Sequence, residues 1–274
     1  MSALQTTEKI SWTSRGWLGF FAIIYAVLLV IGAVSCAFML TVGTPDKTSD
    51  FVSSGPALTQ ISKNINHQLT TTVQKAGLKV NDAKLLSEGE VQRLLRQGFN
   101  KSMNDNLTIN LKPAEQMITQ NLGAATVKPV PAPVTKAIHQ DLSKGVDSYF
   151  QGGLGVVYPL FVLMTQTGTI VAGILIVIVW FFMGLTSHKL WRWLLVVGRT
   201  TYFIGFLGGI AALLVGIEQI TTRLVGSWAD GDILTLVVVH FAPTWQHVAG
   251  VVIVLGLLLA AISYLVRRKD LIQE

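Results

Sequence analysis

Cysteine is nearly missing from this chain: its 274 residues contain one, Cys36, and that one lies inside an apolar run. The polar part of the sequence therefore cannot be a disulfide scaffold or a cysteine-ligated metal domain. Cysteine-free exteriors are common on bacterial surface proteins, and the expected origin is bacterial. Charge is also scarce. Only 13% of residues are charged, against about 25% in an average soluble domain, so much of the chain is not built to meet water. No HExxH pairing, nucleophile elbow, phosphate loop or dinucleotide fingerprint occurs. No internal repeat is evident either. On these grounds no catalytic site, cofactor or metal is expected.

The net charge of +6 raises the question of nucleic acid, which the placement of the charges answers. Lys9, Arg15, Lys189, Arg192, Arg267, Arg268 and Lys269 flank apolar runs, with Glu8, Asp270 and Glu274 among them. Residues 43–151 hold twelve basic and nine acidic residues, close to balance. The excess gathers at the ends of apolar runs and forms no basic stripe interleaved with aromatics, so nucleic-acid binding is unsupported and no nucleic-acid partner is expected.

Four runs are long enough to cross a bilayer, which takes about 20 apolar residues. They are expected at 17–42, 154–185, 193–217 and 246–266. The first exceeds the apolar core of an ordinary signal peptide, about 7–15 residues. At roughly −0.3 to −0.6 kcal/mol for each central Leu, Ile, Phe or Val, its insertion is favoured by several kcal/mol. Before the fourth run, Ile233–Phe241 is apolar but short. Pro243 is expected to separate it as an interfacial or re-entrant piece within an outer loop, 218–245. Basic residues in short flanks orient a membrane protein. They put the N-terminus (1–16), the 186–192 loop and the C-terminus (267–274) in the cytoplasm and 43–153 outside. Trp17, Trp191, Trp193, Trp228 and Trp245 fall near the expected boundaries, as interfacial aromatics do. The fold class read from this is all-α: a multi-pass protein of the cell membrane with an extracytoplasmic helical domain.

Within 43–153, Pro56 suits a first helical position. Leu58, Ile61, Ile65, Leu69 and Val73 then share one apolar face, with Lys63, Asn64, Asn66, His67 and Gln68 on the wet side. Ser87 and Glu90 have capping-box spacing ahead of Val91, Leu94, Leu95 and Phe99. Leu107, Ile109 and Leu111 alternate as in an extended piece. Pro113 opens a helix with Met117, Ile118 and Leu122 facing inward. Residues 128–133 read as a stiff proline connector. A last helix carries Val134, Ile138, Leu142, Val146 and Tyr149, and Gly152-Gly153 separates it from the second span.

Several residues invite sharper readings. His240 and His247 are seven apart, with Glu218, Asp230 and Asp232 on the same outer side, but zinc needs three or four ligands converging at about 2 Å. Pro243 is expected to break the helix that would align the pair, so interfacial histidines are the preferred reading. His188 reads as a flank residue, and His67 and His139 as wet-face residues. Arg199, about six residues into the third span, is either a substrate contact or a side chain snorkelling to the interface; the second is preferred, because transport sites usually sit nearer the midplane. Gly205 and Gly209 have GxxxG spacing and, with Thr201 and Ala212, make a small-residue face; Ala249, Gly256, Ala260 and Ser263 make another. Packing within the chain is preferred to dimerisation. Asn100 and Asn106 begin glycosylation patterns that matter only on a eukaryotic secretory route. The polar run Thr165–Thr169 lies in the second span.

The function read from this is a non-enzymatic membrane protein whose outer helical domain binds or senses a partner in the membrane or envelope. A small transporter or channel subunit using Arg199, Glu218 and the Thr165–Thr169 run is the alternative. A membrane-embedded metal-dependent enzyme using His240 and His247 comes after it. Gly32-Ala33-Val34-Ser35-Cys36 resembles a bacterial lipobox, but the apolar run continues through Leu40, so Cys36 is read as an unmodified helical residue. Cells fed labelled palmitate should incorporate none into the chain. Incorporation that disappears in Cys36→Ala would show the opposite.

Overall fold

The computed structural model describes residues 12–78, 80, 84–126, 129–150, 153–187, 189–227 and 231–273. Every regular element among them is a helix. In order these are α1 (Trp12–Val42), α2 (Pro45–Ser53), α3 (Pro56–Lys75), α4 (Glu88–Met103), α5 (Lys112–Thr126), α6 (Ala132–Phe150), α7 (Gly153–Ser187), α8 (Leu190–Val215), α9 (Glu218–Val225) and α10 (Gly231–Gln273). They fall into two units. One is Met1–Ala37, Gln166–Leu213 and Pro243–Glu274; the other is Phe38–Thr165 and Leu214–Ala242.

Four helices are long and apolar enough to cross a membrane: Gly16–Val42, Val157–Ser187, Leu190–Val215 and Gly231–Asp270. At most 28% of the most apolar window of any of them is buried. Phe20, Ile23, Met164, Ile174, Phe181, Leu213 and Leu258 all point outward. Exposed apolar surface of this extent is untenable in water and natural against lipid. These are the helices of a membrane protein.

Three of these apolar helices begin and end within a few residues of the expected apolar runs, and the last is longer than its run. Pro243 does not separate an interfacial piece, because α10 runs unbroken from Gly231 to Gln273 with Pro243 inside it. Proline removes one N–H and crowds the preceding turn. A long apolar helix tolerates this when the rest of its backbone bonds are kept and neighbours support it. At 43 residues, α10 is about 64 Å long, twice the roughly 30 Å of a hydrocarbon core. Pro159 is likewise contained within α7.

In the first unit the helices meet through small residues. A Cβ on Gly198 would lie 2.6 Å from the Ala260 amide nitrogen, and one on Gly205 would lie 2.8 Å from that of Ile253. A Cβ on Gly256 would collide with the Tyr202 backbone. The two small-residue faces of α8 and α10 therefore pack on each other inside this chain. The α1–α7 contact works the same way: a Cβ on Gly168 would meet Ser35 Oγ at 2.7 Å, and Gly32 faces the Ala172 methyl. Around these contacts Tyr25, Val179, Met183 and Val197 form a buried cluster. Its polar tie is Tyr25 to Thr201 at 2.6 Å. Thr201 Oγ1 gives its hydrogen to the Val197 carbonyl, so the Tyr25 hydroxyl is the donor.

The second unit has its own core, in which Leu58, Leu69, Val73, Val91, Leu94, Ile118, Leu122, Ile138 and Leu142 are all buried. The apolar faces expected of α3 to α6 build it. The side chains of Val146 and Tyr149 lie outside the described residues, as do Lys128 and Gly152. Helix α3 ends in a Schellman turn: Leu78 N–H bonds the Val73 carbonyl, Gly77 N–H bonds that of Gln74, and Gly77 has φ +93°, the left-handed conformation glycine adopts without penalty. Ser87 caps α4 by accepting from the Glu90 N–H at 3.3 Å. Glu90 does not complete the reciprocal box. Its carboxylate is taken by Arg93 Nε, 2.9 Å from both oxygens.

Two placements differ from expectation. Asn66 is not on the wet face: its side-chain oxygen accepts from Leu86 N–H at 2.8 Å and its amide donates to the Leu86 carbonyl at 3.0 Å. Asn121 reaches the Leu85 carbonyl at 3.0 Å and Gln74 that of Val80 at 2.9 Å. These three amides satisfy the backbone of a non-helical segment whose Leu85 and Leu86 are fully buried. Phe99, in turn, leaves the main core for a second cluster with Tyr158 and Val162. The Leu107–Leu111 stretch has no regular secondary structure. Its Asn110 carbonyl accepts from Arg93 and its Asn110 N–H donates to Gln97, both from α4. The proline connector is shorter than expected, since α6 already begins at Ala132.

Asn66→Ala should destabilise the chain by about 1–3 kcal/mol, because it strands a buried backbone donor and acceptor; thermal unfolding in detergent measures this. Gly256→Leu should be worse tolerated than Gly250→Leu, whose Cβ meets nothing within 4 Å. Loss of monodisperse protein in the first and not in the second is the expected outcome.

Candidate functional site

Of the residues singled out from sequence, His240 is the one with the most developed surroundings. It lies in the N-terminal part of α10, and its ring packs on Phe51 of α2 at 4.9 Å between centroids. Its Nε2 is 3.0 Å from the Ser54 hydroxyl. Ser54 follows α2, and its hydroxyl also lies 3.0 Å from the Phe51 carbonyl. Either the imidazole or the Ser54 hydroxyl can be the donor in this contact, depending on the ring tautomer. Gly55 allows this approach, since a Cβ there would meet the imidazole at 3.0 Å.

Beyond His240 runs a chain of aromatic rings that sequence periodicity did not reveal. Phe51 meets Phe241 edge-on at 6.2 Å, Phe241 stacks on Phe38 at 4.8 Å, and Phe38 meets Phe161 edge-on at 4.9 Å. The chain joins α2, α10, α1 and α7. Each such pair adds about 0.5–1.5 kcal/mol beyond the area it buries. Beside it Thr48 of α2 takes a hydrogen bond from Tyr158 of α7 at 2.8 Å while giving its own hydrogen to the Thr44 carbonyl at 2.9 Å.

This constellation links α2 to α10. A serine nucleophile needs its hydroxyl hydrogen aimed at the imidazole and a third group orienting the far nitrogen. Here the Ser54 hydroxyl lies 3.0 Å from both the Phe51 carbonyl and His240 Nε2. Ser49 and Thr235 are buried with hydroxyls that find no partner, which marks this unit as incompletely satisfied in polar terms.

The remaining candidates do not gather around His240. His247 Nδ1 donates to the Pro243 carbonyl of its own helix at 2.7 Å. Its outer side lines an open, mostly apolar groove on α10 with Gln246, Gly250, Val251, Val254 and Leu255. Glu218 and Asp232 are exposed in the first turns of α9 and α10, where a carboxylate complements the helix dipole. Arg199 is exposed on α8. Thr165 is buried, with its hydroxyl on the Val162 carbonyl, and Gly168 is spent on helix packing. His67 is exposed, and His139 pairs with Glu115 at 2.5 Å on the surface. Cys36 is half-buried within α1. Among the described residues no three of His, Cys, Asp and Glu converge as metal ligands; His188, Asp230 and Trp228 lie outside the described residues. The surface pair Asp46–Arg96, at 2.7 Å, raises the guanidinium pKa through its hydrogen bond and charge, with no effect on a group already fully charged at neutral pH. Comparisons of the chain with protein-family models, with curated proteins and with solved structures found no match.

His240→Ala should cost about 1–2 kcal/mol through the lost Ser54 bond and Phe51 contact. Ser49→Ala should be neutral or stabilising, because it removes a buried hydroxyl that has no partner. Melting temperatures of the two variants in detergent, moving in these opposite senses, are the expected result.

Proposed function

We propose that this chain is a non-enzymatic integral membrane protein whose helical domain, between the first and second spans, lies outside the membrane and binds another component of the cell envelope. The observation that supports this most directly is the division of labour within that domain. One side of α3 to α6 fills a dedicated core, while Lys63, Asn64, His67, Gln68, Gln74 and Lys75 leave α3 with a polar, exposed face. A domain with its own core and a free polar face presents a surface. The His240–Ser54 joint and the aromatic chain then hold its elements together without taking part in chemistry.

The orientation rests on charge. Seven basic residues flank the spans on the proposed cytoplasmic side, and the short loop on the other side has one, Arg223. The long segment between the first and second spans exceeds the loop length over which this bias acts. Both termini then lie in the cytoplasm of a bacterial cell.

Labelling tests the orientation. In a Cys36→Ala background, single cysteines at the exposed positions Lys63 and Asp270 are treated with an impermeant thiol reagent on intact cells. Position 63 should label and position 270 should not until the membrane is opened; the reverse pattern sinks the proposal. A photo-cross-linker at Gln68 should trap a discrete envelope partner in cells. Alanine changes along the polar face of α3 should weaken that capture gradually. Complete loss of function from one polar substitution, in a folded chain that still captures its partner, would point to catalysis.

A further inference from the structure

In the first unit, Trp191 organises a cluster of cations. The Arg192 guanidinium lies 5.1 Å from the centre of its ring, and so does that of Arg267. One belongs to the start of α8 and the other to the end of α10, and both residues lie in the same unit. Ser263, fully buried, locks the pair by donating to the Trp191 carbonyl at 2.6 Å. Two guanidiniums that share one indole are held no more than twice that ring distance apart. Each gains a cation–π contact, but they repel each other.

The neighbourhood deepens the imbalance. Lys189, Arg268 and Lys269 join Arg192 and Arg267 in these two segments, and Asp270 is the one acid in them among the described residues. No carboxylate lies within ion-pair distance of Arg192, Arg267, Arg268 or Lys269 among the described residues. A fixed pair of guanidiniums with no carboxylate partner among the described residues suits a phosphate-type oxyanion, which the planar fork binds through paired hydrogen bonds.

The surroundings identify the source of that oxyanion. Leu190, Tyr264 and Leu265 are 58%, 70% and 60% exposed immediately beside the cations, and Leu190 and Asp270 are themselves ends of membrane-spanning segments. A surface that alternates guanidinium with open apolar side chains at the end of a span suits a molecule with a charged head and an acyl tail. We propose that Trp191, Arg192 and Arg267 form a binding site for the phosphodiester headgroup of an anionic phospholipid. The indole sets the spacing of the two guanidiniums, Ser263 fixes the helix register, and Leu190 and Leu265 receive the upper part of the acyl chains.

The test uses the full chain in mild detergent, titrated with fluorescent phosphatidylglycerol or with phosphatidylcholine of the same acyl composition. Phosphatidylglycerol should bind more tightly by about tenfold or more, since each cation at an anionic lipid surface is worth roughly fivefold. Arg192→Gln/Arg267→Gln should abolish the preference. Arg268→Gln/Lys269→Gln removes the same charge away from Trp191 and should retain most of it. Helicity and monodisperse elution confirm folding, and Arg267→Gln alone replaces the first double variant if that one does not fold. Equal binding of the two lipids overturns the proposal. So does equal loss in both double variants, which reduces the cluster to unspecific charge, and so does displacement of the lipid by millimolar inorganic phosphate, which makes it a free-anion site.

Discussion

Apolar helices in a bilayer gain nothing from leaving lipid for one another, because hydrocarbon tails are as apolar as leucine. What remains is contact at close range, and that requires backbones without side chains between them. Gly198, Gly205 and Gly256 meet this need between α8 and α10, and Gly32 and Gly168 meet it between α1 and α7. Other features of that unit take their position from these approaches. Tyr25 reaches Thr201 because the helices are close, and Ser263 reaches the Trp191 carbonyl for the same reason. The paired guanidiniums around Trp191 are a consequence of that register.

The helical domain obeys a different constraint. It is built of short helices whose connections must have their backbone groups satisfied when they pass near a core. Side-chain amides do this work. Asn66, Asn121 and Gln74 bind the segment leading to α4, and Arg93 and Gln97 bind the irregular stretch before α5. The same economy appears at His240, whose imidazole serves Ser54 at the end of α2. Read singly these polar residues look alike, and only the fold shows which backbone group or side chain each one meets.

Several elements were legible in the sequence because they rest on local periodicity. The four spans, the apolar faces of α3 to α6, the proline starts at Pro56 and Pro113, and the Ser87 cap all follow from residues within a turn or two of one another. Pro243 misled because local rules treat proline as a stop, whereas a long, supported apolar helix absorbs the lost bond. Asn66 misled because a short amide on the polar flank of an amphipathic helix looks solvated until its partner, twenty residues on, is known.

The sequence by itself determined that this is an all-helical chain with four membrane-length helices and a polar stretch between the first two, since hydropathy is summed over contiguous residues and needs no fold. Tertiary structure alone decided which small residues touch, that Phe38, Phe51, Phe161 and Phe241 form one line of rings ending at His240, and that Arg192 and Arg267 share one indole. Those pairings join residues up to about 200 positions apart. Separations of that size leave no periodic trace, because they depend on how the helices pack and on nothing within any one of them.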